Sequence, residues 1–215
     1  MQPGSETVVL VHGLWVHGIA MALMRRRLER GGFRVFAYSY PSMRLTFAEN
    51  VSRLARYCHD VGALRSHFVG HSLGGLIVLR MLEEMAGFVP GRVILAGTPV
   101  AGSHAARRLA RLPGGRVALG RSMAEWAEAR QPAFSVGCDI GVIAGRMPVG
   151  AGRLVAPDLP EPHDGAVSVE ETDLPAARDR IVLNVSHSGM LVSRAVAHQI
   201  EVFLRHGAFD KAEGQ

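Results

Sequence analysis

Short apolar runs alternate with longer stretches of helical periodicity along most of the chain. The apolar runs have the length and the β-branched or aromatic content of buried strands, which predicts strands over 7–11, 33–38, 68–69, 93–96, 140–144 and 181–185. Between them, apolar residues recur every three or four positions, which predicts helices over 19–30, 47–57, 73–85, 103–112 and 191–204. This alternation is typical of βαβ units. The chain is therefore expected to form an α/β domain, a mostly parallel sheet of about six strands with helices on both faces.

The middle and the end of the chain are less regular. Ser122 followed by Glu125 has the spacing of a capping box, which predicts that a further short helix begins at Ser122. Residues 147–162 are rich in Gly and Pro and are expected to form a loop, and residues 208–215 a polar tail. A single domain accounts for all of 1–215, with about 100–135 available for a short lid.

Composition indicates a globular protein without a membrane span. Hydrophobic residues make up 48% of the chain and charged residues 20%, a balance that excludes a disordered chain. No apolar run approaches the roughly 18 residues that a membrane span requires. The polar start, Met1 to Thr7, lacks the basic and apolar parts of a secretory signal, so a cytoplasmic location is expected.

The positive charge changes this picture little. The net charge is +5, and because Lys211 is the single lysine, nearly all of the 24 basic residues are arginines. The arginines are mostly dispersed over predicted surface helices, which favours solvated helix faces over a nucleic-acid site. The sequence leaves room for a weak contact of Arg107 to Arg121 with an anionic surface or substrate. Cys58 and Cys138 lack the spacing of a disulfide framework or a zinc site, and no metal or organic cofactor is expected.

The most informative motif is Gly70-His71-Ser72-Leu73-Gly74, which matches the pattern G-x-S-x-G. The motif alone is modest evidence for a catalytic serine, because a glycine-rich turn with a helix-capping serine can have the same sequence. Its setting raises its value: a predicted strand precedes it and a helix that is apolar nearly all round follows it, as in a nucleophile elbow. The start of that helix then places free N–H groups and a positive dipole end beside Ser72.

A second turn, residues 12–14, directly follows the first predicted strand. The carboxyl ends of parallel strands lie at one edge of a sheet, so this turn is expected beside Ser72. Its central glycine lets the backbone turn towards the site. The N–H groups of Leu14 and Leu73 are therefore the expected donors to an oxyanion.

A serine nucleophile needs a base and an acid that orients the base. His187 is the favoured base because it follows the strand 181–185 at the same sheet edge as Ser72. His12 and His71 each adjoin a turn glycine and are expected to orient loops instead. The other histidines after the serine are His104, His163, His198 and His206.

The acid is less sharply defined by the residues alone. Asp164 lies in a loop and precedes Gly165, which can aim its carboxylate into a cleft, so it is moderately favoured. The order Ser, acid, His also admits Asp139, Asp158, Glu161, Glu170, Glu171 and Asp173. Among these, Glu170 and Glu171 have the character of solvated residues.

Taken together, these strings resemble the α/β-hydrolases of the lipase and esterase type. The matching strings are Val-His-Gly-Leu-Trp at 11–15, Gly-His-Ser-Leu-Gly-Gly at 70–75, Gly-Thr-Pro at 97–99, Gly-Ser at 102–103, Asp-Gly-Ala-Val at 164–167 and Val-Ser-His-Ser-Gly at 185–189. The resemblance implies an α/β-hydrolase fold in which Ser72 is the nucleophile, Asp164 the acid and His187 the base. It also implies that Leu14 and Leu73 supply the oxyanion N–H groups and that the loop 97–99 shapes the acyl pocket. The chain departs from the family in starting at the first parallel strand and in leaving room for a minimal cap or none.

The expected activity is hydrolysis of a small-molecule carboxylic ester through an acyl-enzyme. Trp15, Val100 and Met190 are apolar and near the predicted edge, which makes them candidates for the substrate pocket, with core packing as the alternative. An acyltransferase, a thioesterase or an amidase would use the same three residues. A non-enzymatic protein that binds a lipid or an anionic partner on a hydrolase scaffold is the alternative of another class.

Overall fold

The computed structural model of the protein describes residues 6–63, 66–84, 88, 90–128, 137–150 and 152–212. Six strands form one sheet: β1 (Thr7–Val11), β2 (Arg34–Tyr38), β3 (His67–His71), β4 (Arg92–Ala96), β5 (Asp139–Gly145) and β6 (Asp179–Leu183). Their order in the sheet is β2-β1-β3-β4-β5-β6, and all neighbouring strands are parallel. The carboxyl ends of all six strands therefore lie at one edge, which is the edge that the sequence predicts for the site.

Most helices connect the strands in the predicted places. The helices are α1 (Ala22–Arg30), α2 (Phe47–Asp60), α3 (Leu73–Glu84), α4 (His104–Ala110), α5 (Gly115–Glu128), α6 (Gly152–Val155) and α7 (Arg194–His206). The expectation that 147–162 is only a loop is wrong, because α6 lies within it, and α5 begins before Ser122. The last residue of the predicted helix 73–85 lies outside the described ranges. The last helix begins later than predicted, because Ser193 caps α7 by accepting a hydrogen bond from Val196 N–H. Within the described ranges, no helix combines the length and the apolar character that a bilayer crossing requires.

The strands are apolar on both sides because helices cover both faces of the sheet. On one face, Val9 and Val11 belong to a core shared with α2, α3 and α5. On the other face, Val8 and Leu10 belong to a core shared with α1 and α7. All four valine and leucine side chains of β1 are fully buried, which is why this strand is a continuous apolar run and does not alternate.

The predicted capping box at Ser122 is wrong in its partners. A kink at Gly120 (φ 66°) interrupts α5, so a helical segment does start near this point. The Ser122 hydroxyl, however, donates to Leu45 O and accepts from Asn50, and Glu125 accepts from Phe47 N–H. Both polar side chains thus bind the beginning of α2 and hold α5 against it.

The stretch proposed as lid space contains α4 and α5, while its last residues, 129–135, lie outside the described ranges. The second half of α5 is packed into the core through Met123, Ala124 and Trp126, which are all buried. The core also extends into the predicted polar tail. Phe209 is buried and packs on Phe203 with ring centres 4.9 Å apart.

Candidate active site

Ser72 lies on a sharp turn between β3 and α3. Its φ is 53°, in the left-handed region that non-glycine residues rarely adopt, and its N–H donates to Ala96 O at 2.9 Å. The turn can be this tight because α3 approaches β1 at Gly74, where a Cβ atom would lie 2.3 Å from Val11 O. The strand, the strained turn and the buried helix together form the geometry of a nucleophile elbow.

The turn of residues 12–14 lies against this elbow. A Cβ atom on Gly13 would be 2.9 Å from the Cβ atom of Ser72. Leu73 is the first residue of α3, so its N–H is one of those without an intrahelical acceptor. Within the described residues, the Leu14 N–H has no backbone acceptor either. Both predicted oxyanion donors are therefore located at the nucleophile's edge of the sheet.

The structure brings His187 and Asp164 into direct contact. His187 Nδ1 lies 2.7 Å from Asp164 Oδ2, and the His187 backbone N–H donates to Asp164 O at 2.9 Å. A carboxylate accepts hydrogen bonds, so Nδ1 carries the hydrogen and Nε2 keeps a free lone pair. This is the tautomer that a general base needs.

The loop around Asp164 prepares its carboxylate for this contact. Asp164 is 1% exposed, and its second oxygen, Oδ1, accepts from the N–H groups of Ala166 and Val167 at 2.9 and 2.8 Å. A bridge between His163 and Ser168 closes the loop. A buried carboxylate is costly without such donors, and here every hydrogen bond to it also fixes its direction.

A comparison with known protein families places most of the chain in one family. The sequence profile of the alpha/beta hydrolase family matches residues 8–199. The chain belongs to the alpha/beta hydrolase family. No curated protein matches its sequence significantly.

Solved structures show the same fold at low sequence identity. The mature lipase BlEst2 of Bacillus licheniformis superposes with a TM-score of 0.77 and 19% identity, covering 96% of this chain and 93% of the lipase. A thermophilic esterase from Thermogutta terrifontis has a TM-score of 0.68 and 16% identity, with 94% and 90% coverage. An esterase from Exiguobacterium antarcticum has a TM-score of 0.67 and 14% identity, with 94% and 92% coverage. This chain is thus a hydrolase similar in fold to lipases and esterases.

In this alpha/beta hydrolase, His71 supports His187 from below the nucleophile turn. The two rings lie with centres 4.7 Å apart, and His71 Nε2 donates to His187 O at 3.0 Å. Burial lowers the pKa of His71 to about 3, so its ring is neutral near pH 7. The contacts agree with the predicted loop-orienting role.

His12 holds the turn of residues 12–14, the predicted oxyanion turn, in a similar way. Its Nδ1 donates to Gly13 O at 2.8 Å, and its Nε2 accepts from Tyr40 N–H at 3.2 Å. The Tyr40 ring stacks on the imidazole at 4.4 Å, and its hydroxyl donates to His12 O at 2.8 Å. Burial lowers the pKa of His12, which keeps the ring neutral and able to accept. The turn is thereby connected to the segment that follows β2.

Glu171 lies next to the loop that carries Asp164, although its sequence context predicts a solvent-exposed side chain. It is 8% exposed, and its carboxylate accepts from the N–H of Ser168 at 2.8 Å and from the N–H of His104. It therefore connects the loop that carries Asp164 to the start of α4. The signal was present in the sequence, since Ser168 and Glu171 have the S-x-x-E spacing of a capping box and make both of its hydrogen bonds.

The three predicted substrate residues have different surroundings. Trp15 is 57% exposed and lines a cavity of about 740 Å³ at the carboxyl ends of β1 and β2. Val100 and Met190 are buried in the cores on opposite faces of the sheet, and a substrate contact for them stays a prediction. Among the described residues, no group of three or more His, Cys, Asp or Glu side chains is placed to hold a metal ion.

Proposed function

We propose that this alpha/beta hydrolase cleaves carboxylic esters through an acyl-enzyme, with Ser72 as nucleophile, His187 as base and Asp164 as acid. The observation that carries the proposal is the 2.7 Å contact between His187 Nδ1 and a buried Asp164 whose other oxygen is already saturated by backbone N–H groups. This arrangement orients a basic nitrogen at the edge where Ser72 lies. A purely structural histidine has no need of it.

Acylation follows from the roles of these groups. Ser72 Oγ attacks the ester carbonyl while His187 Nε2 takes the hydroxyl proton, and Asp164 stabilises the imidazolium that results. The N–H groups of Leu14 and Leu73 bind the oxyanion of the tetrahedral intermediate. The intermediate then expels the alcohol, which receives its proton from His187, and leaves the acyl group on Ser72.

Deacylation repeats these steps with water as the nucleophile. His187 takes a proton from the water as it attacks the acyl-enzyme, and the same two N–H groups bind the second oxyanion. Collapse of this intermediate releases the carboxylic acid and returns the proton to Ser72. The ester and water supply all the atoms of the products, and the proton that His187 takes in each half of the reaction is given up again in the same half.

An oxygen ester is favoured over other acyl compounds by the named activities of the structural neighbours, which are a lipase and two esterases. The same residues could transfer the acyl group to another acceptor or cleave a thioester or an amide. Competing acceptors added to the reaction would separate hydrolysis from transfer, because an acyltransferase diverts the acyl-enzyme from water.

The test is a pre-steady-state burst with p-nitrophenyl butyrate. The wild type should release about one equivalent of p-nitrophenol per site before steady turnover if deacylation is slower than acylation, and it should be labelled at Ser72 by a fluorophosphonate. Ser72→Ala should lose both signals, with kcat/KM reduced roughly 10⁴-fold or more. Ser52→Ala, which changes an exposed serine on α2, is the matched control and should behave as wild type. Equal rates for wild type and Ser72→Ala would overturn the proposal.

A further inference from the structure

We propose that the cavity beside the oxyanion turn is a subsite for a negatively charged part of the substrate, so that the preferred esters carry a carboxylate. This inference rests on the proposed function, because it names the substrate class of the same site. The cavity has a volume of about 740 Å³ and lies along the segments that follow β1 and β2. That volume is ample for a short acyl chain with a terminal carboxylate.

The position of the cavity connects it to the nucleophile. One wall is Trp15, which is two residues beyond Gly13, the residue that packs on Ser72. The lining also includes Tyr40, whose hydroxyl and backbone N–H both bind His12. A group held in the cavity is therefore in contact with the two segments that position the oxyanion turn.

The lining of the cavity includes both apolar and cationic residues. Trp15, Pro41 and Met43 provide apolar surface, while Arg44 provides a guanidinium that attracts an anion. None of the residues that line it is an aspartate or a glutamate. Within the described part of the chain, no carboxylate lies within ion-pair distance of Arg44, whereas Arg92, Arg178 and Arg180 each have such a partner. A guanidinium without a partner beside a cavity is available to bind a carboxylate bidentately.

A second arginine adjoins the cavity through its backbone. The Arg121 N–H donates to Met43 O at 3.1 Å, and its side chain is exposed. The overall charge of +5 also favours anionic substrates, since a positive field attracts them at long range.

The apolar wall is held in place at an energetic cost. Trp15 has a φ of 57°, and among the described residues it shares positive φ outside glycine with Ser72 alone. The indole Nε1 donates to Ala118 O at 2.7 Å and so fastens the oxyanion turn to α5. Strain of this kind persists where the surrounding structure imposes it, most often at sites that bind ligands. The Trp15 side chain is thus held by a residue 103 positions later in the chain, and a side chain held in this way can select ligands by their shape.

A second depression differs in the features that matter. It has a volume of about 340 Å³ on the surface of α2, and its lining includes Glu49 together with Arg53 and Arg56. None of the residues that line it follows directly on the turn 12–14 or binds it, as Trp15 and Tyr40 do at the first cavity. Arg53 therefore offers a control for the effect of charge alone.

The experiment compares two esters that differ in one charge, mono-p-nitrophenyl adipate and p-nitrophenyl hexanoate, each corrected for spontaneous hydrolysis. The wild type should prefer the adipate, measured as the ratio of kcat/KM values. Arg44→Gln should lower that ratio about fivefold to tenfold, chiefly through KM of the adipate, because one charge-assisted contact is lost. Arg44→Lys should retain most of the preference, and Arg53→Gln should leave it unchanged. Raising the salt concentration should reduce the preference of the wild type.

Two outcomes distinguish failure of this inference from failure of the proposed function. Hydrolysis of hexanoate at least as fast as adipate, with a ratio that Arg44→Gln does not change, would overturn the inference and leave the esterase proposal intact. Absence of hydrolysis of both esters together with absence of labelling at Ser72 would overturn the proposed function, and with it this inference. Circular dichroism of each variant excludes loss of folding as the cause of a lowered ratio.

Discussion

The two edges of the sheet satisfy their charges in opposite ways. At the amino edge, Asp139 pairs with Arg92 at 3.3 Å and with Arg178 at 3.0 Å, and Asp179 pairs with Lys211 at 2.8 Å. Burial opposes ionisation of Asp139, but the hydrogen bonds and charges of both arginines lower its pKa. Both of these acids therefore have cationic partners.

The carboxyl edge, in contrast, contains polar groups that lack a hydrogen-bond or ion-pair partner among the described residues. Asp164 is stabilised by neutral N–H groups and by His187 in place of a cation. Among the described side chains, His71 Nδ1 is buried without a hydrogen-bond partner and Arg44 has no ion pair. Ser72 also carries backbone strain at this edge. Among the described non-glycine residues, left-handed backbone therefore occurs only beyond the carboxyl ends of β1 and β3, at Trp15 and Ser72, whereas Asp139 and Asp179 are ion-paired where their strands begin.

The largest effect should come from replacing the carboxylate of Asp164 with an amide, and the same replacement at Asp139 provides the comparison at the amino edge. Asp164→Asn keeps the shape and the acceptor for Ala166 N–H but loses the charge that stabilises imidazolium, so kcat/KM should fall roughly 10⁴-fold. Asp139→Asn should leave ester hydrolysis within about twofold and lower the free energy of unfolding by about 1 kcal/mol or less, since its ion pairs are partly exposed. Ester kinetics and urea denaturation measure both. A comparable loss of activity in the two variants would remove the distinction between the edges.

An intermediate effect is expected from Gly97→Ala. Gly97 has φ 55°, and a Cβ atom there would lie 3.1 Å from His187 Nδ1 and 3.2 Å from Asp164 Oδ2. The new methyl group should displace this pair and lower kcat by about 10- to 100-fold. Gly62→Ala is the matched control, because Gly62 has φ 66° and open space around its Cβ position. Both variants should lose about 1–2 kcal/mol of stability from the left-handed backbone, whereas kcat should fall only in Gly97→Ala; unchanged kcat there would contradict the tight fit around the pair.

The smallest effect concerns stability at acid pH. Burial lowers the pKa of His71 to about 3, while an unfolded histidine titrates near 6.5. As the pH falls from about 6.5 towards 3, the unfolded state takes up this proton first, so the free energy of unfolding decreases. His71→Gln removes the titrating ring and keeps a donor for His187 O, so its stability should fall less steeply over this range.

His67 provides the comparison at the amino edge. Burial also lowers its pKa, but Glu6, 3.4 Å away, opposes that shift. His67→Gln should therefore change the pH dependence less than His71→Gln does. Urea midpoints at pH 7 and pH 4.5 measure both slopes. A larger change in His67→Gln would show that the histidine at the carboxyl edge is not the more acid-sensitive one.

Much of the fold could be predicted because its strands are buried on both faces. Such strands are continuous apolar runs, and β1, β2 and β4 were predicted to within one residue of their observed limits. The elbow at Ser72 could be predicted equally well, because the glycines that such a turn requires lie within a few residues of the serine. Phe209 was assigned to a polar tail because a single aromatic residue after a helix has no periodicity, although it packs on Phe203.

Contacts between distant segments were harder to predict. Glu171 resembled a solvated residue because its burial depends on the start of α4, more than 60 positions earlier in the chain. The cavity beside Trp15 depends on the segment after β2 and on Ala118 of α5. Nothing in the local pattern of residues 39–44 distinguishes them from an ordinary connecting loop.

By itself the sequence determined the alternation of strands and helices, the nucleophile turn and the edge at which the site forms, since each depends on local apolar periodicity and on glycines close to Ser72. The tertiary structure decided which carboxylate meets His187, because Asp164 and His187 are 23 residues apart and converge through the pairing of β5 with β6. It also decided that Arg44 faces a cavity without a carboxylate partner. Such choices depend on which segments fold against each other, and a linear pattern carries no record of that contact.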